Sequence, residues 1–179
     1  MRRLFSIIPV TVTMTVAVTI ITVLGLLFTG GPLCGLFVAT PHFGPGWFLS
    51  MFAHSSWGHY TGNILFFIPL SCILEMRYGS GKLLTAIILS GLFTGLSCMI
   101  GMHGSVGLSG VVYMLLMMLF FMVNWKFMVV IAAVAAVYWL LPELISIFRF
   151  DGVDHMSHLF NGVGGLGMGY AYSRLDSEN

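Results

Sequence analysis

Three short groups of polar residues stand out from an otherwise apolar chain, and between them they hold the parts of a serine-nucleophile site. The first is Gly107-Leu108-Ser109-Gly110. A serine hydroxyl is a weak nucleophile until a base takes its proton and donors stabilise the oxyanion that forms. An apolar run begins at Ser109, so the serine heads a helix, where backbone N–H groups and the positive end of the helix dipole are on offer. Gly107 and Gly110 would let a substrate carbonyl come close to the backbone. Small residues at this spacing also serve tight helix packing in membranes, and the tetrapeptide alone does not choose between the two.

The second group is His54-x4-His59-x3-Asn63. His59 and Asn63 are four apart and share one helical face. Side-chain donors placed there suit an oxyanion hole, or equally a polar clamp between helices without chemistry. His54 is expected to brace the preceding loop through hydrogen bonds. The third group is His158 with Asn161, Gly165 and Gly169, which fall on one face at i+3, i+7 and i+11. A seam of small residues lets a neighbouring helix approach. If that neighbour is the Ser109 helix, His158 reaches Ser109 Oγ as general base, and Tyr113, one turn below the serine, stacks on the imidazole. Asp154, four residues before His158, is placed either to accept the second ring N–H in a triad-like arrangement or to cap the helix.

These groups need a scaffold, and the composition says where it sits. The chain has 179 residues, 58% of them hydrophobic and only 7% charged, whereas a soluble domain carries about 25% charged residues. The excess apolar surface must therefore face lipid. A net charge of +1 offers no basic surface for nucleic acid. Six apolar stretches, near residues 6–28, 59–76, 82–101, 109–123, 127–148 and 155–173, predict an all-α membrane protein, one bundle of six transmembrane helices over 1–175 with a polar tail at 176–179. The first run is expected to stay as a span, since it outlasts a signal-peptide core and no clear cleavage site follows it. The connection 29–56 is rich in Gly, Pro and aromatics and has no charged residue, which suits the membrane interface. Cys34, Cys72 and Cys98 are scattered through apolar surroundings and predict no disulfide framework. Pro142-Glu143 predicts a bend in the fifth segment, as a mobile gate or as a plain kink.

With a cytoplasmic N-terminus, Arg2, Arg3, Arg77, Lys82, Lys126 and Arg174 fall inside and only Arg149 outside. The positive-inside bias thus predicts both termini in the cytoplasm. The same arrangement gathers His42, His54, His59, His103, His155 and His158 at the outer level. Ionisable groups at membrane depth are costly and mark function.

Taken in order, the HxxxxHxxxN of His54, His59 and Asn63, the GLSGVVY of 107–113, and a histidine atop a glycine-rich last segment resemble the rhomboid family of intramembrane serine proteases. Glu75-Met76-Arg77-Tyr78-Gly79-Ser80-Gly81-Lys82-Leu83 is similar to the ExRxGSGKL of bacterial rhomboids. The resemblance runs from Trp47 to Ser173. It implies a rhomboid-like six-helix bundle of the minimal bacterial form in the inner membrane, with Ser109 as nucleophile and His158 as base. It implies an oxyanion hole from His59, Asn63 and the Ser109 N–H, with Gly107, Gly110, Tyr113 and His54 supporting. It further implies a water-accessible cavity open to the outer side, substrates that are transmembrane proteins entering laterally near the second and fifth helices, and a structural polar network around Glu75 and Arg77 on the inner side. No cofactor and no metal are implied, and the oligomeric state is left open.

Three positions depart from the family pattern. Trp47 is followed by Phe48 where Trp-Arg is usual, and the first loop carries no arginine, so its anchoring must come from elsewhere. Asn161 replaces a glycine three residues beyond the histidine, and is expected to hold the two helices slightly further apart. Val106 replaces a small residue often found just before GLSG. Two other classes are weighed. A rhomboid-like pseudoenzyme that binds membrane clients typically lacks the serine or the histidine; both are present. A histidine-lined metal-binding or transport protein is prompted by the six histidines and by the HxxH of His155 and His158, but HExxH and a carboxylate path across the bilayer are missing.

Overall fold

The computed structural model describes residues 8–122 and 154–177. The expected fifth segment, 127–148, with Pro142 and Glu143, lies outside the described residues. Six α-helices are present among those described: α1 (Pro9–Phe28), α2 (Gly46–Leu49), α3 (Trp57–Tyr78), α4 (Ser80–Gly101), α5 (Ser109–Met118) and α6 (His155–Ser177). Five of them correspond to apolar stretches of the sequence, and α2 is a single turn inside the long first connection. The last helix runs on to Ser177, into the polar end expected to be a tail.

α1 and α4 are long and apolar enough to cross a membrane. Large apolar side chains also stand exposed along several helices, among them Ile20, Leu65, Ile73, Ile88 and Val163. These side chains lie on four helices, where a lipid surround would accept them.

The core lies between α3, α4, α5 and α6, centred on Phe67, Leu74, Leu83, Leu108, Met114, Leu115 and Met118. The small-residue seam of α6 faces α5: a Cβ at Gly169 would lie 3.0 Å from Met118 Cα, and one at Gly165 would overlap the Met114 carbonyl. Hydrogen at these positions lets the backbones approach closely, and that approach sets the depth of His158.

The two ends of α3 are pinned differently. Near its C-terminus, buried Glu75 accepts hydrogen bonds from Val10 N–H (2.9 Å), Thr11 N–H (2.8 Å) and Ser80 O–H (2.7 Å). The carboxylate thereby satisfies two orphan donors at the start of α1 and holds the start of α4, the structural network expected there. At the other end, sixteen residues or about 24 Å along the axis, begins the serine site.

The first connection is anchored without an arginine. Trp47 is buried, with its ring filling the space that a side chain at Gly95 would take. Its Nε1–H donates to Thr40 O (3.0 Å). Ala39 and Ser105 exchange backbone hydrogen bonds of 2.9 and 3.0 Å, tying this connection to the loop that leads into α5.

Candidate active site

The loop before Ser109 is held from two sides. Gly107 N–H donates to Ser50 O (3.0 Å), and Leu108 N–H donates to His54 Nε2 (3.3 Å). Because Nε2 accepts, the His54 proton sits on Nδ1 and is donated to Thr22 Oγ1 (2.9 Å), whose own hydrogen goes to Phe52 O (3.1 Å). His54 is completely buried. Burial first, and the neighbouring His59 ring second, push its imidazole down to about 3, so it stays neutral as this hydrogen-bond pattern requires. The brace expected of His54 is thus a relay from α1 to Leu108, the residue preceding Ser109. Thr22, which orients it, carried no sequence signal beyond being one threonine among several in the first span.

Gly107 has φ +122, a conformation that side-chain-bearing residues rarely adopt. A Cβ there would lie 2.7 Å from His59 Nε2 and 3.6 Å from Asn63 Nδ2. The backbone just ahead of Ser109 therefore runs directly against both candidate oxyanion donors. His59 Nδ1 is 3.2 Å from Ser55 Oγ, and its backbone N–H is capped by Ser56 Oγ (3.2 Å). Asn63 is 9% exposed, and its buried Nδ2 has no hydrogen-bond partner. A buried amide donor left unpaired costs about 1–3 kcal/mol, which makes sense if an acceptor arrives during function.

Ser109 opens α5 and is half-buried. Its Oγ lies 2.9 Å from His158 Nε2, with His158 only 7% exposed. The Tyr113 ring stacks on the imidazole with centroids 4.2 Å apart and planes 9° from parallel, which fixes the plane in which the acceptor lone pair points. Ser109, the candidate base His158, Tyr113, the two candidate oxyanion residues and Gly107 all meet at one level of the bundle. Gly110 lies beside them, packed against Asn161 and Thr94: a Cβ at Gly110 would be 2.8 Å from Asn161 Nδ2 and from Thr94 Oγ1.

Of the two arrangements weighed for Asp154 the structure shows the helix cap, and it adds a role for Asn161. Asp154 does not hold the second nitrogen of His158. Its Oδ1 accepts Ser157 N–H (2.9 Å) as a cap on α6, and its Oδ2 makes no hydrogen bond; His103 Nε2 lies 3.5 Å away. Asn161 is more than a spacer. Completely buried, it donates from Nδ2 to Ser157 O (2.9 Å) and Thr94 Oγ1 (3.1 Å), and Thr94 Oγ1 is 3.0 Å from Ser157 Oγ. This polar knot ties α6 to α4 one turn below His158, and Ser109 still reaches its base. Ser157 and Thr94 were not singled out in the sequence, where nothing marks a buried hydroxyl.

Comparison with curated proteins gives no match. Residues 45–175 match the family described as Rhomboid domain. The match covers most of the length, from the one-turn helix that carries Trp47 to the last turn of α6, and so the chain belongs to the rhomboid family, whose domain is a helical bundle of the membrane.

Proposed function

We propose that this protein is an intramembrane serine endopeptidase that cleaves transmembrane segments of single-span proteins through a Ser109–His158 dyad. The observation that carries the proposal is the 2.9 Å separation of Ser109 Oγ from His158 Nε2 under the Tyr113 stack. In the reaction, Ser109 Oγ attacks the scissile carbonyl as its proton passes to neutral His158 Nε2. The oxyanion is received by Asn63 Nδ2, the His59 ring and the first N–H of α5. The imidazolium then protonates the leaving amine. Water enters, gives its proton to His158, attacks the acyl carbonyl and frees Ser109.

The same geometry supports the proposed substrate class. Ser109 and His158 lie at the His59 end of α3, about 24 Å of helix from Glu75. A substrate helix must locally unwind before its backbone can enter such a site, so cleavage favours small residues and helix-breakers near one end of its span. The positive-inside charge pattern supports an outer-side site with both termini inside, and the family resemblance supports a bacterial inner membrane. The test is cleavage of a generic transmembrane substrate by the purified protein beside Ser109→Ala. Cleavage by the parent and none by the variant is expected. Equal cleavage by both would remove the serine mechanism, and none by either would favour a client-binding role.

A further inference from the structure

A second cluster of reactive side chains lies beside the serine site without belonging to it. Cys98 near the end of α4, His103 in the following loop and Asp154 at the start of α6 present ligand atoms that all lie within 4.8 Å of one another. Local structure brings them there. Met102 adopts a left-handed conformation with φ 54, which turns the chain back so that His103 N–H donates to Cys98 O (3.2 Å). The missing side chain at Gly101 leaves room for the His103 ring.

The donor set suits a metal ion better than it suits internal pairing. Cys98 is a free thiol and completely buried. His103 Nδ1 is 3.3 Å from Gly104 O; an N–H donated to a backbone carbonyl is the usual way to aim the other ring nitrogen's lone pair at a metal. That nitrogen, Nε2, is 3.5 Å from Asp154 Oδ1, long for a hydrogen bond. Nitrogen and oxygen ligands of one tetrahedral zinc stand about 3.4 Å apart, from bond lengths of about 2.0–2.2 Å. Asp154 Oδ2 is buried with no hydrogen-bond partner.

We propose that Cys98, His103 and Asp154 bind one Zn²⁺ through sulfur, nitrogen and oxygen, with the fourth position open to water. Binding forms the Zn–S bond as the thiol proton leaves to solvent, and the ion enters past His103, whose side chain is 34% exposed. The bound ion ties the end of α4 to the cap of α6, one turn ahead of the base His158. His155 and His158, the HxxH pair of the sequence, take no part.

The test uses the full-length protein in detergent, stripped of metal and titrated with Co²⁺ and then Zn²⁺. The expected result is one Co²⁺ per chain with a thiolate-to-cobalt charge-transfer band in the near ultraviolet, displaced by Zn²⁺. Cys98→Ser abolishes the band, and His103→Ala weakens binding by about tenfold or more. Cys34→Ser and Cys72→Ser leave both unchanged, and a thermal unfolding midpoint close to the parent's reports that each variant is folded. Absence of a thiolate band in the parent protein, its survival in Cys98→Ser, or unchanged affinity in folded His103→Ala would overturn the site.

Discussion

Asn63→Ala removes a buried amide whose Nδ2 makes no hydrogen bond in the resting protein. Its effects on stability and on catalysis should therefore separate. Truncation loses some packing at a residue that is 9% exposed, but it also deletes an unsatisfied donor whose burial costs about 1–3 kcal/mol. The two nearly offset, and the thermal midpoint should hardly move. In the transition state the amide gains the oxyanion as partner, and losing one such donor costs about 10²–10³ in kcat, or about 2.7–4 kcal/mol. KM should change little, because the interaction is absent from the ground state. The assay is cleavage of a transmembrane reporter at several substrate concentrations in liposomes, with thermal unfolding followed in parallel. A kcat within about threefold of the parent would refute the oxyanion role. A loss of activity that tracks a fall in the thermal midpoint would recast Asn63 as a polar clamp between helices.

Three further outcomes follow from the same geometry. Tyr113→Ala, which loses the stack at 4.2 Å, should lower kcat about 2- to 12-fold and Tyr113→Phe much less; equal losses would mean that the ring does not orient His158. Because Asp154 caps α6, Asp154→Asn should leave the pH–rate profile unshifted when measured in chelator; a displaced profile would restore the acid to the dyad. Buried His54, held down from 6.5 to about 3, stays neutral in the fold while the unfolded chain takes up a proton below 6.5. Its contribution to stability is therefore full above about pH 6.5 and is lost toward pH 3, at about 1.4 kcal/mol per pH unit. Unfolding midpoints measured across that range should fall less steeply in His54→Asn, and parallel slopes would contradict the assignment.

The helices in the described residues were legible as long apolar runs, and the approach of α6 to α5 was legible in the spacing of His158, Gly165 and Gly169. Ser109 and His158 could be paired on paper because each sits at a helix start, where backbone chemistry leaves a sequence trace. Anchoring of the first connection was not legible. Trp47 is one of many aromatics there, and only the path of the chain brings it against Gly95. Asn161 was read along one helix axis as a spacer, while its partner Thr94 lies on α4, 67 residues away in sequence. For Asp154 both the helix cap and a bond to His158 were legible, and spacing alone did not choose between them; the Ser157 N–H decides for the cap. The cluster of Cys98, His103 and Asp154 joins three elements through a left-handed turn at Met102, and no residue spacing announces it.

Reactivity of Ser109 toward a fluorophosphonate probe in detergent tests the central claim most directly. An activated serine should be labelled in the parent protein, not at all in Ser109→Ala, and only marginally in His158→Ala, because the base 2.9 Å from Oγ is what makes the hydroxyl nucleophilic. Equal labelling of the parent and His158→Ala, or none in a folded parent protein, would contradict it.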